Sequence, residues 1–141
     1  MMTSATDPHE ELRVLIQKVA RRIRAERGGD GVSDTQLGVL WRLASEGRCT
    51  PGGLADSERV SPPSMNRTVN ALEALGYVSR EPSEQDARQV WVILSRTGDE
   101  LIAETRRLRN AWFDQQLESL DSADRAALEA AVAALRTLAD S

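Results

Sequence analysis

Residues 50–77 read TPGGLADSERVSPPSMNRTVNALEALGY, and two helix starts stand in them eleven residues apart. Thr50 before Pro51 and Ser61 before Pro62 each place a hydroxyl able to cap an orphan amide ahead of a proline. At the first helical position the missing proline N–H costs nothing. The first helix is short and closes near Ser57. In the second, Met65, Val69, Leu72 and Gly76 fall on one face, while Pro63, Arg67 and Asn70 fall nearly opposite, flanked by Ser64 and Asn66. Gly76 can end it in the left-handed conformation. A short helix, a tight turn and a second helix with an apolar back and a polar front form a helix-turn-helix.

Downstream, Tyr77 to Arg80 and Gln89 to Leu94 read as two strands joined by the polar loop Pro82 to Arg88. A hairpin in that place turns the motif into a winged helix-turn-helix. Upstream, Ser33-Asp34-Thr35-Gln36 is a capping box, after which Leu37, Leu40, Trp41 and Ala44 are expected to supply a buried stripe. Before it, Leu12, Ile16, Val19 and Ile23 mark one face of a first helix over about 8–27, broken by Gly28-Gly29-Asp30-Gly31.

Beyond the wing, Ser95 can cap a long fifth helix carrying Leu101, Thr105, Leu108 and Trp112. Asp121 with Asp124 opens a sixth carrying Leu128, Val132, Leu135 and Leu138. These two helices hold more apolar residues than a 141-residue monomer readily buries. A homodimer is therefore expected, with Leu12, Ile16, Val19, Leu108, Trp112, Leu128, Val132 and Leu135 at a self-complementary twofold interface. The expected class is mainly α, an α+β winged helix-turn-helix with six helices and a two-stranded β-wing. One domain spans 1–141, with the winged core at 32–98 and dimerisation helices at 8–27 and 96–140.

The net charge of −4 at first argues against a nucleic-acid partner, because phosphate neutralisation supplies most nonspecific affinity. Where the charge sits matters more than its sum. Residues 97–141 carry nine acidic groups against five basic, whereas 59–96 carry five arginines against four acids. Arg59, Arg67, Arg80, Arg88 and Arg96 thus leave the helix-turn-helix and hairpin permissive for DNA. Cys49 and His9 are the only residues of their kinds, so no internal disulfide or Cys/His metal cluster can be assembled, and no cofactor is expected. There is no apolar run of membrane-spanning length and no signal-peptide layout between Met1 and Glu11. A cytoplasmic protein without a membrane partner is expected.

Several blocks resemble the MarR family of bacterial transcription regulators, in that family's order. Val32 to Leu40 is similar to its second-helix entry, with a hydroxyl residue three before Gln36. Thr50 to Ala55 followed by Val60-Ser61, and Asn66 to Val78, resemble its helix-turn-helix, recognition helix and first wing strand. Asp86-Ala87-Arg88, Val90 to Leu94, then Ser95 and Gly98, are similar to its wing signature. The resemblance spans roughly residues 32–98. Gly53 departs from it where an acidic residue is usual, and Glu58 where an apolar one is common.

A double-stranded-DNA-binding regulator follows, a repressor by expectation, acting on a palindromic operator. Its DNA-facing set is Ser61, Pro62, Pro63, Ser64, Asn66, Arg67 and Asn70 from the second helix of the motif, with Asp86 and Arg88 from the wing. An arginine can fork onto guanine, an asparagine onto adenine, and small side chains let the backbone approach the groove. Arg88 suits a minor groove, with Asp86 steering or bracing it as the resemblance implies. The resemblance also implies release by a small aromatic or phenolic effector.

The rival reading is a winged-helix module that binds protein partners without specific DNA binding, which the acidic total favours. No catalytic triad, motif-borne carboxylate pair or phosphate-cradling glycine loop supports an enzyme. Cys49 is expected to be a buried, inert thiol rather than a redox switch. Trp41, Trp91 and Trp112 are expected in the core rather than around a ligand.

Overall fold

In the computed structural model, which describes residues 7–141, the helix starts carry the hydrogen bonds their residue types demand. The first six residues of the expected domain lie outside those described. Asp7 accepts the His9 amide at the head of α1 (Pro8–Ala25). Ser33 and Gln36 close a reciprocal capping box on α2 (Asp34–Glu46). Thr50 caps α3 (Pro51–Glu58) through the Gly53 amide, and Ser61 caps α4 (Pro62–Ala74) through the Ser64 amide. The chain divides into two compact units, one of residues 28–106 and one of the segments up to Arg27 and from Arg107 onward.

In the first unit α2, α3 and α4 pack with a small antiparallel sheet. Strands β2 (Val78–Pro82) and β3 (Val90–Leu94) form the expected wing, with Arg80 opposite Val92. A third strand, β1 (Arg48–Cys49), pairs with β3 and gives the order β1-β3-β2. Two residues are too few to show a period, so nothing in the sequence announced β1. Leu37, Leu40 and Leu43 of α2, Leu54 of α3, and Met65, Val69 and Leu72 of α4 are almost wholly buried. Leu101 and Ile102 join this core from the head of α5 (Arg96–Glu118).

The stripe expected on α2 is rotated. Val39 and Leu43 are buried, Trp41 is half-buried against the core, and Ala44 is exposed. Turning the helix this way hides the larger aliphatic side chains, which gain more by leaving water than alanine does. Thr105 is fully buried, and its hydroxyl accepts the Gly28 amide at 3.3 Å. Gly98 permits a close crossing: a Cβ there would collide with the Tyr77 carbonyl, whose oxygen also accepts the Ser95 amide at 3.0 Å.

The second unit holds α1, the remainder of α5, α6 (Ser122–Ala130) and α7 (Val132–Ala139). The expected sixth helix is thus interrupted once, at Ala131, whose amide divides between the carbonyls of Ala127 and Leu128 and tightens the turn. Arginines close two helix ends here. Arg109 donates to the carbonyls of Glu26 and Arg24 beyond and within α1, and Arg125 donates to those of Leu117, Glu118 and Leu120 at the end of α5. Each places a cation where a helix dipole is negative. Among the described residues of α1, α6 and α7, none is buried.

Candidate nucleic-acid interface

The turn between α3 and α4 is closed by Arg59, the only described non-glycine residue with positive φ, at 55°. That conformation lets the Val60 amide reach the Ala55 carbonyl at 3.0 Å, and Val60 packs back on the core beside Met65. The two residues at the staple positions of α4 thus both belong to the packing of one core. That packing fixes the angle at which α4 leaves the turn.

With its back held by Met65, Val69 and Leu72, each fully buried, α4 turns Pro62, Pro63, Asn66, Arg67 and Asn70 to solvent. Ser61 is also exposed and Ser64 half-buried. Among the described residues, no ion pair or side-chain hydrogen bond holds the guanidinium of Arg67 or the amides of Asn66 and Asn70. The two faces separate because a 3.6-residue period sends residues i, i+4 and i+7 one way and i+2 and i+5 the other.

The wing tip is a built turn. Ser83 Oγ accepts the amides of Gln85 and Asp86, both at 3.3 Å, and the Ser83 amide meets the Gln89 carbonyl at 3.0 Å. Asp86 Oδ1 accepts the Arg88 backbone amide at 3.0 Å, and the Asp86 carbonyl accepts that of Gln89 at 3.0 Å. The carboxylate of Asp86 thus braces the backbone of Arg88, while the exposed Arg88 guanidinium has no ion pair among the described residues. Sequence spacing placed the two residues together but did not distinguish a bond to the guanidinium from one to the amide.

The five arginines of the middle segment are not equivalent. Arg80 pairs with Glu73 at 3.1 Å, tying β2 to the end of α4, and Arg96 pairs with Glu100 at 3.3 Å along α5. Arg59, Arg67 and Arg88 remain exposed and outside any ion pair among the described residues. Arg48 lies 4.2 Å over the Trp91 ring, a cation–π pair that depends on β1 and was not visible in the sequence.

The tryptophans are half-buried rather than central to the core. Trp41 lies beneath Arg106, Trp91 beneath Arg48, and Trp112 beneath Arg22 and beside Phe113. Cys49 is buried, and its thiol donates to Glu46 Oε2 at 3.2 Å. Burial, followed by the hydrogen bond to Glu46 and its negative charge, pushes the thiol up to about 11. The same bond, helped by Arg42, holds the Glu46 carboxyl below its ordinary value.

The residues expected at a dimer interface all lie in the second unit. Leu12, Ile16, Val19, Leu128, Val132 and Leu135 are between 41% and 57% exposed, while Leu108 and Trp112 are half-buried. Leu101, counted from sequence with this apolar excess, instead belongs to the winged core at 8% exposure. It lies at the head of α5, within the winged unit. Among the described residues, no helix is long and apolar enough to cross a membrane.

Comparison with known proteins places this geometry. The MarR family profile matches residues 30–89. An HTH-type transcriptional regulator of Mycobacterium leprae, itself uncharacterized, is 39% identical over 99% of this chain and 98% of its own length. An HTH-type transcriptional regulator of Mycobacterium tuberculosis is 37% identical over the same shares. The fold is shared with a MarR family protein from Bacillus stearothermophilus, at a TM-score of 0.78 and 22% identity over 94% of this chain and 93% of that one.

Proposed function

The chain belongs to the MarR family of HTH-type transcriptional regulators, and from that premise we propose that it represses transcription by binding a palindromic duplex operator as a homodimer. The observation that carries the reading is the division of α4, with Met65, Val69 and Leu72 fully buried and Asn66, Arg67 and Asn70 exposed. Fully satisfied side chains would have no donors left for base edges. Here the guanidinium of Arg67 is available to fork onto guanine and the amide of Asn70 onto adenine. Arg88 adds a cation at the wing tip, suited to the negative potential of a narrow minor groove.

The dimer rests on surface physics. Ten large apolar side chains of the second unit are more than a third exposed, from Leu12 on α1 to Leu138 on α7. Covering each would gain about 1 kcal/mol, or roughly 20 kcal/mol for two chains, against about 4–15 kcal/mol lost in association. The partner is a second copy, which carries the same stripe. Two recognition helices about 34 Å apart then match successive major grooves, so half-sites should lie about one helical turn apart. An aromatic or phenolic effector would release the complex only by favouring a conformation that cannot bind DNA. As a regulator the protein has no catalytic role in this reading and acts in the cytoplasm.

Anisotropy titration against duplexes selected from a randomised pool, at several salt concentrations, tests the proposal. A palindromic consensus bound at least about a thousandfold more tightly than random duplex is expected, with affinity falling steeply as salt rises. Equal, weak binding to every duplex would favour the protein-interaction module instead.

A further inference from the structure

Helix starts commonly grip phosphate through free backbone amides, and the first turn of α4, from Pro62 to Met65, has none to offer. Pro62 and Pro63 carry no N–H, the Ser64 amide is held by the Ser61 hydroxyl at 3.2 Å, and the Met65 amide bonds to the Ser61 carbonyl at 3.0 Å. What this end of the helix exposes is a pair of pyrrolidine rings. Pro63 stands one helical turn before Arg67, so ring and guanidinium share one stripe of the exposed face.

We propose that Pro62 and Pro63 read the 5-methyl group of a thymine, one in each half-site, a specificity that rests on the DNA-binding reading above. The thymine methyl is the apolar group that base edges present in the major groove. A proline ring meets it without losing side-chain entropy and without stripping water from a polar group. Cytosine carries only a hydrogen at the ring carbon that bears this methyl, so the apolar contact with the proline rings is lost there. The same rings that remove two amides from the helix start therefore make it selective for one base.

The full chain is used to select sites from a randomised duplex pool, and each thymine of the best site is then replaced by deoxyuridine, which removes the methyl alone. Replacement at one symmetry-related pair of positions should weaken binding by roughly tenfold, the size expected for two methyl groups returned to water. In the Pro62→Ser/Pro63→Ser protein the same replacement should change affinity by less than about twofold, because the rings are gone. Both prolines occupy exposed first-turn positions, so the variant should melt near the parent, and the single Pro63→Ser protein provides a second measurement. A consensus with no deoxyuridine-sensitive thymine, or a penalty that survives both serine variants, overturns the proline assignment and leaves DNA binding standing. A selection that returns no consensus overturns the DNA-binding reading and this inference together.

Discussion

In the winged unit Leu40, Leu54, Met65 and Leu72 are wholly buried, whereas in the flanking helices Leu12, Leu128, Val132 and Leu138 stand between 48% and 63% exposed. The apolar residue types are alike, and α1 and α6 are capped by aspartates as α2, α3 and α4 are by hydroxyls, so local chemistry does not explain the contrast. The winged unit has a sheet and three helices to close around its apolar stripes. The other unit is helices alone, with apolar stripes facing outward. A unit that completes its own core can present a polar face for recognition, while one that does not must find its core elsewhere. The first is read here as the part that meets DNA, the second as the part that meets a second copy.

The contrast breaks most severely if the outer surface is made polar. Leu128→Asp/Val132→Asp changes two half-exposed positions that carry little of the single chain's own packing. Sedimentation should give one chain mass instead of two, and operator affinity should fall by about a hundredfold or more as the two half-sites cease to act together. A double-aspartate protein that remained dimeric would remove the surface from the interface.

Striking at the winged core tests its self-sufficiency. Gly98→Ala would drive a Cβ into the Tyr77 carbonyl and should destabilise the protein by about 2–3 kcal/mol in urea unfolding. An unchanged midpoint would mean that α5 and the Tyr77 backbone can part at no cost.

Substitution on the polar face should act on recognition and spare the fold. Arg67→Ala should lose about 1–3 kcal/mol on the selected operator and less on random duplex, with melting unaltered. Equal losses on both would make Arg67 a phosphate contact. At the wing the two partners should separate: Arg88→Ala should weaken DNA binding by about 1 kcal/mol. Asp86→Ala should do so indirectly, by loosening the turn whose Arg88 amide the carboxylate holds at 3.0 Å. Amide exchange at Arg88 should speed up in Asp86→Ala and not in Arg88→Ala.

The smallest effect concerns Cys49. With its thiol raised from the usual 9.0 to about 11, the folded state holds this proton more tightly than the unfolded state does. The associated stability is complete below about pH 9 and is lost as pH rises toward 11, and Cys49→Ala should remove that part of the pH dependence. Thiol labelling at neutral pH should be about a hundredfold slower in the native protein than in denaturant, reflecting the smaller thiolate fraction.

Helix starts, the two faces of α4 and the wing hairpin were legible in the sequence because each depends on residues at most a few positions apart. A hydroxyl caps an amide three residues on, a 3.6-residue period sorts faces, and strand patterns flank a polar loop. The order of these elements sufficed to read a winged helix-turn-helix. Tertiary structure alone decided how α2 rotates its stripe, that Leu101 belongs to the winged core, that β1 exists, and that Arg80 is engaged by Glu73 while Arg67 is not. Each of these is settled by groups on different elements competing for the same space or charge. Gly98 shows the boundary between the two kinds of information: its place in a motif could be read, but the carbonyl it must clear lies twenty-one residues earlier and is brought there only by folding.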